Sequence, residues 1–255
     1  MTAPRRIVSL VPSTTESVHA LGAGDRLVGC TRWCTEPGKA LADVPRIGGT
    51  KNPDREAIAA LLPDLVLGNA EENRPEDLDW LGARFPVLVQ TPCDVVAATH
   101  ALRELATRLG VGDAAAAPWL LRIESWLVAA AAARQRRALL RVCYVIWRRP
   151  WMSIARSTFV HDVLATVGLT NVCADAAVRY PEFDPDVVRA GGVDCVLLAS
   201  EPWEFDETQR RELAAANVFG GARLLVCDGR DFCWHGVRMA NGLGRALALA
   251  GSLGD

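Results

Sequence analysis

The stretch Ala114 to Arg137, AAAAPWLLRIESWLVAAAAARQRR, constrains this 255-residue chain more than any other. Alanine, leucine and arginine dominate it, and these are strong helix formers. It holds no glycine. Its one proline, Pro118, falls near the start, where it kinks or delays the first turns. Trp119, Ile123, Trp126, Leu127 and Ala130 recur at three- and four-residue steps and form one apolar stripe. Asp113 is placed to cap the start. At 1.5 Å per residue the helix runs about 35 Å. Between two α/β halves such a helix is a rigid strut. The competing reading is an ordinary crossover helix inside one continuous sheet.

The flanks favour two halves. Before the long helix the pattern predicts strands at Ile7–Val11, Leu27–Cys30, Leu65–Gly68 and Val87–Gln90. Helices alternate with them. A capping box at Ser13-Thr-Thr-Glu16 opens the first, through Leu21, and Asp54 caps one to Leu62. Others end at Arg84 and run over Val95–Leu109. After the long helix, strands are predicted at Val142–Ile146, Asn171–Cys173, Cys195–Ala199 and Leu224–Cys227. The helices there are Phe159–Val167, one capped by Asp184 to Ala190, Arg210–Ala216 and Val237–Leu249. Trp147 to Ser153 reads as a loop. The segment LLPDLVLGNAEEN in the first half answers AGGVDCVLLASEPW in the second, and FPVLVQTP answers ARLLVCDG. Strand–helix alternation in each half implies a parallel sheet with helices on both faces. The expected architecture is α/β: a lobe at 1–111, a linking helix at 112–137 and a second lobe at 138–255.

Net charge is −2, which gives no footprint for nucleic acid or an anionic membrane. No stretch is long and apolar enough to span a bilayer. The N-terminal apolar run, Ile7 to Val11, is stopped by Pro12 and is no signal peptide. The sequence as written therefore predicts a cytoplasmic chain, or an extracytoplasmic one if a leader was removed. Eight cysteines show no C-x-x-C pair, and Cys30, Cys143, Cys173, Cys195 and Cys227 fall in or beside strands. Reduced, buried thiols are expected.

In open α/β sheets ligands sit beyond the carboxyl ends of the strands. The first half places Arg32, Trp33, Asn69, Glu71, Glu72 and Asn73 there. The second places Trp147, Trp151, Trp203, Phe205, Trp234 and His235 there. Five of the eight tryptophans lie in these loops. A solvated loop rich in tryptophan calls for a flat, partly apolar ligand to cover it. The other histidines, His19, His100 and His161, fall in helices. No protein-built metal centre and no catalytic nucleophile–base pair can be read from the spacing. Glu71-Glu72 offers at most one inward carboxylate for acid–base work.

The segments RIVSLVPSTTESVHALGAGDRLVGCT, VPRIGGTKNPDREAIAALLPDLVLGNAEEN and IWRRPWMSIARSTFVHDVLATVGLTNVCAD resemble the substrate-binding proteins of cobalamin and iron–siderophore ABC importers, the helical-backbone metal receptors. The similarity runs through nearly the whole chain. It implies a class III periplasmic-binding-protein-like fold: two small parallel-sheet lobes joined by one long backbone helix, with the ligand held between the lobes. It implies a binding protein rather than an enzyme. The ligand is then a bulky metal chelate, a cobalamin-like corrinoid, heme or siderophore, and the protein has no cofactor of its own. In the cobalamin binder the loop after the second strand supplies an aromatic, where Trp33 stands. The third-strand loop supplies a tryptophan, where Asn69 stands. The loop opening the second lobe supplies aromatics, where Trp147 and Trp151 stand. The family docks its ABC permease through one carboxylate per lobe, and Glu56 and Asp186 occupy those places. A cytoplasmic corrinoid-handling module, or an enzyme using the same cleft, is the alternative.

Overall fold

The computed structural model describes residues 2–254. The chain forms two compact units. The first comprises Met1–Pro92, Val96–Leu121 and His235–Arg238, and the second Cys93–Val95, Arg122–Trp234 and Met239–Asp255.

The first unit runs β1 (Ile7–Ser9), α1 (Pro12–Val18), β2 (Leu27–Cys30), α2 (Arg55–Ala60), β3 (Leu65–Gly68), α3 (Pro75–Gly82), β4 (Val87–Val89) and α4 (Val95–Arg108). The long helix α5 (Asp113–Arg134) begins in the first unit and ends in the second. The second continues with β5 (Leu140–Val145), β6 (Trp147–Arg148), β7 (Trp151–Met152), α6 (Phe159–Thr166) and β8 (Leu169–Asn171). It closes with α7 (Pro185–Ala190), β9 (Cys195–Ala199), α8 (Glu207–Ala215), β10 (Arg223–Cys227), α9 (Arg230–Cys233) and α10 (Met239–Gly254).

Each unit is built on a four-stranded parallel sheet. The orders are β2-β1-β3-β4 and, read from the other edge, β8-β5-β9-β10. The two sheets have one topology, as the repeated segments required. Two aspartates in each half show why the sequence repeats. Asp54 and Asp184 cap α2 and α7, accepting from the Ala57 and Asp186 amides at 2.9 Å each. Asp64 and Asp194 precede β3 and β9 and accept from backbone amides at the start of the neighbouring strand, Arg6 at 2.9 Å and Arg141 at 2.7 Å. They fix where β1 and β5 enter the sheets.

Parallel strands are covered on both faces, so their side chains are apolar throughout. β3 and β9 are buried at every residue. Val8, Leu10, Ile47, Ile58, Val66 and Leu81 pack together in the first unit. Val145, Val196, Leu198, Phe205, Leu213 and Phe219 do so in the second. At the opposite, amino-terminal edge of the strands, arginines donate to carbonyls that helix ends leave over: Arg6 to Leu61, Arg26 to Leu109, Arg141 to Gly191 and Arg223 to Ser252. That role accounts for these cations without an anionic partner.

Four local expectations are corrected. The helix at Ser13 has no capping box: it starts at Pro12, Val11 occupies the cap without a side-chain bond, and Glu16 pairs with Arg238 at 3.0 Å. Pro12 suits the first helical position because its missing N–H has no intrahelical acceptor. Trp147 to Ser153 is a small hairpin, β6 against β7, rather than a loop. β8 lies two residues earlier than expected, and α9 was not anticipated. In α5 the helix runs on through Pro118. Ile123 and Ala130 are buried while Trp119, Trp126 and Leu127 are half-buried, in line with the stripe.

Trp126 shows how tightly α5 packs. Its indole nitrogen donates to the Ala240 carbonyl at 2.9 Å, and its ring lies on Gly244 of α10. A Cβ at Gly244 would stand 2.6 Å from Trp126 Cζ2. Replacing a helical glycine by alanine ordinarily stabilises by about 1 kcal/mol. Overpacking costs about 1–3 kcal/mol. Gly244→Ala is therefore expected to destabilise, and a raised denaturation midpoint would show that the ring has room to move.

Candidate functional site

In the first unit the loop after β2 exposes Arg32 and Trp33, the latter 59% accessible. Both reach over Gly49 in the turn that follows: a Cβ there would lie 3.3 Å from Arg32 Nη2 and 3.4 Å from Trp33 Nε1. Glycine leaves that turn open to them. The loop after β3 is closed from within. Asn69 Oδ1 accepts from the Glu71 amide at 2.7 Å, and Asn73 Oδ1 accepts from the Asn69 amide at 2.8 Å. Asn73 Nδ2 donates to the Thr50 carbonyl at 2.9 Å. Both asparagines are buried, and they hold Glu71 and Glu72 at the partly exposed rim. Lys51 donates to the Glu71 carbonyl and the Ala70 amide donates to Thr91, so the ends of β3 and β4 and the glycine turn meet at one edge of the sheet.

In the second unit the β6–β7 hairpin projects from the end of β5 and positions Trp147 and Trp151. Trp147 meets Trp203 edge-on with centroids 5.0 Å apart. Trp203 contacts Phe205 at 6.3 Å, and Phe205 stacks on Trp151 at 6.4 Å with the rings 4° from parallel. Phe205 is 2% accessible and belongs to the core; the three indoles around it are half-buried. The result is a row of rings with edges reaching solvent. Beside it a surface depression of about 640 Å³ is lined by Arg148, Arg149, Trp151, Glu182, Phe183 and Asp184.

Trp234 and His235 are buried. Trp234 Nε1 donates to Glu201 Oε2 at 2.8 Å. Glu201 lies in the loop after β9. Burial pushes its pKa above the usual carboxylate value, and the bond from Trp234 partly opposes this. His235 belongs to the first unit, and burial alone lowers its pKa to about 4, so it is neutral. Glu56 and Asp186 are exposed, each the second residue of its helix, two positions after the capping aspartate. Asp186 pairs with Arg189 one turn on. Among the described residues no three His, Cys, Asp or Glu side chains gather as a metal-ligand set. No helix there is long and apolar enough to cross a membrane.

Residues 7–209 match the family described as periplasmic binding protein. This chain belongs to the periplasmic binding protein family. Relatives of this family member include the vitamin B12-binding protein of Pectobacterium carotovorum subsp. carotovorum strain PC1. It is 24% identical over 204 residues, 78% of this chain and 72% of that protein. The vitamin B12-binding protein of Vibrio cholerae strain M66-2 is 26% identical over 181 residues, 69% and 64% of the two, so the match spans under two thirds of that relative. Among solved structures, the periplasmic vitamin B12-binding protein BtuF of Vibrio cholerae superposes with TM-score 0.80 at 20% identity, over 98% of each chain. The periplasmic heme-binding protein RhuT of Roseiflexus sp. RS-1 gives 0.83 at 24%, over 98% and 99%. A periplasmic heme-binding protein from Pseudomonas aeruginosa gives 0.81 at 27%, over 96% and 92%. The fold of this binding protein is the two-lobed class III fold that the resemblance implied. These relatives are named for binding, and none for catalysis.

Proposed function

We propose that this chain is the substrate-binding component of an ABC importer and carries a bulky metal chelate, first a cobalamin-like corrinoid and second a heme or ferric siderophore. The observation that carries this reading is the row Trp147, Trp203 and Trp151, whose half-exposed rings at the carboxyl ends of β5 and β9 offer flat apolar surface. The relatives named for vitamin B12 and heme bind ligands of that shape. Trp33, Arg32, Glu71 and Glu72 are proposed as contacts from the first unit, and Trp147, Trp151 and Trp203 as contacts from the second. Asn69, Asn73, Phe205, Trp234 and His235 act beneath them as support, since their burial leaves little surface for a ligand.

Titration with cyanocobalamin, cobinamide, hemin and a ferric siderophore tests the ligand. One of them is expected to bind saturably, with a shift of its visible bands and quenching of tryptophan emission. Binding by none would end this reading. Trp33→Ala is expected to weaken affinity about 10- to 100-fold, the scale of losing a large aromatic anchor.

Glu56 and Asp186 are the proposed permease contacts. An acid in the first helical turn also stabilises its own helix by about 0.3–1 kcal/mol, so folding must be followed alongside transport. Glu56→Lys with Asp186→Lys is expected to abolish uptake in a transport-competent strain while ligand affinity stays within twofold. Unimpaired uptake would remove both residues from docking.

A further inference from the structure

Below the exposed Arg32 and Trp33 lie two sulfurs that neither the core nor the proposed ligand site explains. Cys30 ends β2, Cys34 lies four residues on, and both are fully buried. Arg46 holds them as a unit. Its Nη1 donates to Cys30 Sγ at 3.0 Å, to the Cys34 carbonyl at 2.8 Å and to the Thr31 carbonyl at 3.2 Å. Thr15 Oγ1 lies 3.0 Å and Thr31 Oγ1 3.2 Å from Cys34 Sγ. A merely structural buried thiol is surrounded by apolar atoms and held inert. Here a guanidinium and two hydroxyls face the pair.

We propose that Cys30 and Cys34 form a redox-active dithiol that closes to a disulfide across the loop bearing Arg32 and Trp33. The neighbouring Cys30 thiol lowers the Cys34 pKa to about 6 against its burial, with the Thr15 and Thr31 hydroxyls that face the Cys34 sulfur adding; the neighbouring Cys34, with burial, raises Cys30. Cys34 is thus the thiolate and Cys30 the resolving thiol. Burial of both sulfurs selects a small diffusible oxidant, and hydrogen peroxide is the co-reactant. The Cys34 thiolate attacks one peroxide oxygen, the O–O bond breaks, and the leaving hydroxide becomes water by taking up the proton that Cys34 released to solvent on ionising. The sulfenic acid so formed is attacked by the Cys30 sulfur. The S–S bond forms, the S–O bond breaks, and the hydroxyl leaves as water with the Cys30 proton. The dithiol loses two electrons and peroxide becomes two waters.

The second unit supplies a built-in comparison. Cys143 and Cys173 also perturb one another, Cys173 being lowered to about 7 and Cys143 raised, but it is the Cys30–Cys34 pair that the Arg46 cation faces. Treating the full chain with one equivalent of peroxide, blocking thiols with N-ethylmaleimide in denaturant and mapping peptides by mass decides the matter. Six thiols of the eight should then be blocked, with Cys30 and Cys34 joined in one peptide, and dithiothreitol should restore eight. Cys30→Ser should leave Cys34 as a sulfenic acid that dimedone traps. Persistence of eight free thiols, or oxidation confined to Cys143 and Cys173, would overturn the proposal. The mapping on the unaltered chain stands even if the variant folds poorly.

Discussion

Phe205→Ala is expected to remove about 3–5 kcal/mol from the stability of the second unit, the range for truncating a buried phenylalanine. Phe205 is 2% accessible and packs in the cluster with Val196, Leu198, Leu213 and Phe219. It is also where Trp151 and Trp203 meet, 6.4 and 6.3 Å away. Alanine therefore opens a cavity directly under the proposed ligand face and loses two aromatic contacts of about 0.5–1.5 kcal/mol each. Phe205→Leu keeps most of the volume and is expected to cost about half as much. Urea denaturation followed by far-UV circular dichroism gives the midpoints. A Phe205→Ala loss below about 1 kcal/mol would mean that the cluster collapses around the gap and that the ring is not its keystone.

The architecture was legible because it is written twice. The capping aspartates Asp54 and Asp184, the strand-entry aspartates Asp64 and Asp194 and the apolar runs of β3 and β9 recur at matching places; each capping aspartate accepts from an amide of its helix's first turn and each entry aspartate from an amide at the start of the neighbouring strand. The errors fall where local signals are short or compete. Ser13-Thr-Thr-Glu16 has the spacing of a capping box, yet Pro12 fits the first helical position and starts the helix two residues sooner. Two-residue strands joined at Arg149-Pro150 leave no alternation to detect. Around β8, LTNVC permits pairing at more than one register; the ladder puts Leu169 opposite Leu140.

The candidate site was legible by position and not by direction. Strand order tells which loops lie at the carboxyl ends, so Trp33, Trp147, Trp151 and Trp203 could be picked out. Which of two neighbouring residues turns inward depends on packing at long sequence separation. Phe205 goes to the core while Trp203 two residues earlier stays half-exposed. Asn69 and Asn73 bond the loop to itself, a use that composition cannot distinguish from ligand contact. Glu201 gains its partner Trp234 from thirty-three residues away, and no local pattern announces it.

That half-buried carboxylate and the buried His235 make opposite demands on pH. His235 has its pKa lowered from 6.5 to about 4 by burial, so in this range the unfolded chain binds the extra proton. Its contribution is complete above pH 6.5 and is lost as pH falls towards 4, about 3 kcal/mol in all at about 1.4 kcal/mol per pH unit. Glu201 has its pKa raised above 4.5, so the folded chain binds the extra proton, and its burial costs stability as pH rises from 4.5 through the folded value. Between these limits the two slopes partly cancel in the unaltered protein. Glu201→Gln keeps an acceptor for Trp234 Nε1 and removes the opposing slope. It is expected to be the more stable protein at pH 7 and to show a steeper loss on acidification. His235→Asn is expected to do the reverse, losing stability at pH 7 and flattening the profile between pH 6.5 and 4. Urea midpoints taken in half-unit steps from pH 4 to 7.5 read both effects. If His235→Asn ran parallel to the unaltered protein throughout, the histidine would be protonating in the folded chain at its ordinary pKa, and its burial would have no part in acid sensitivity.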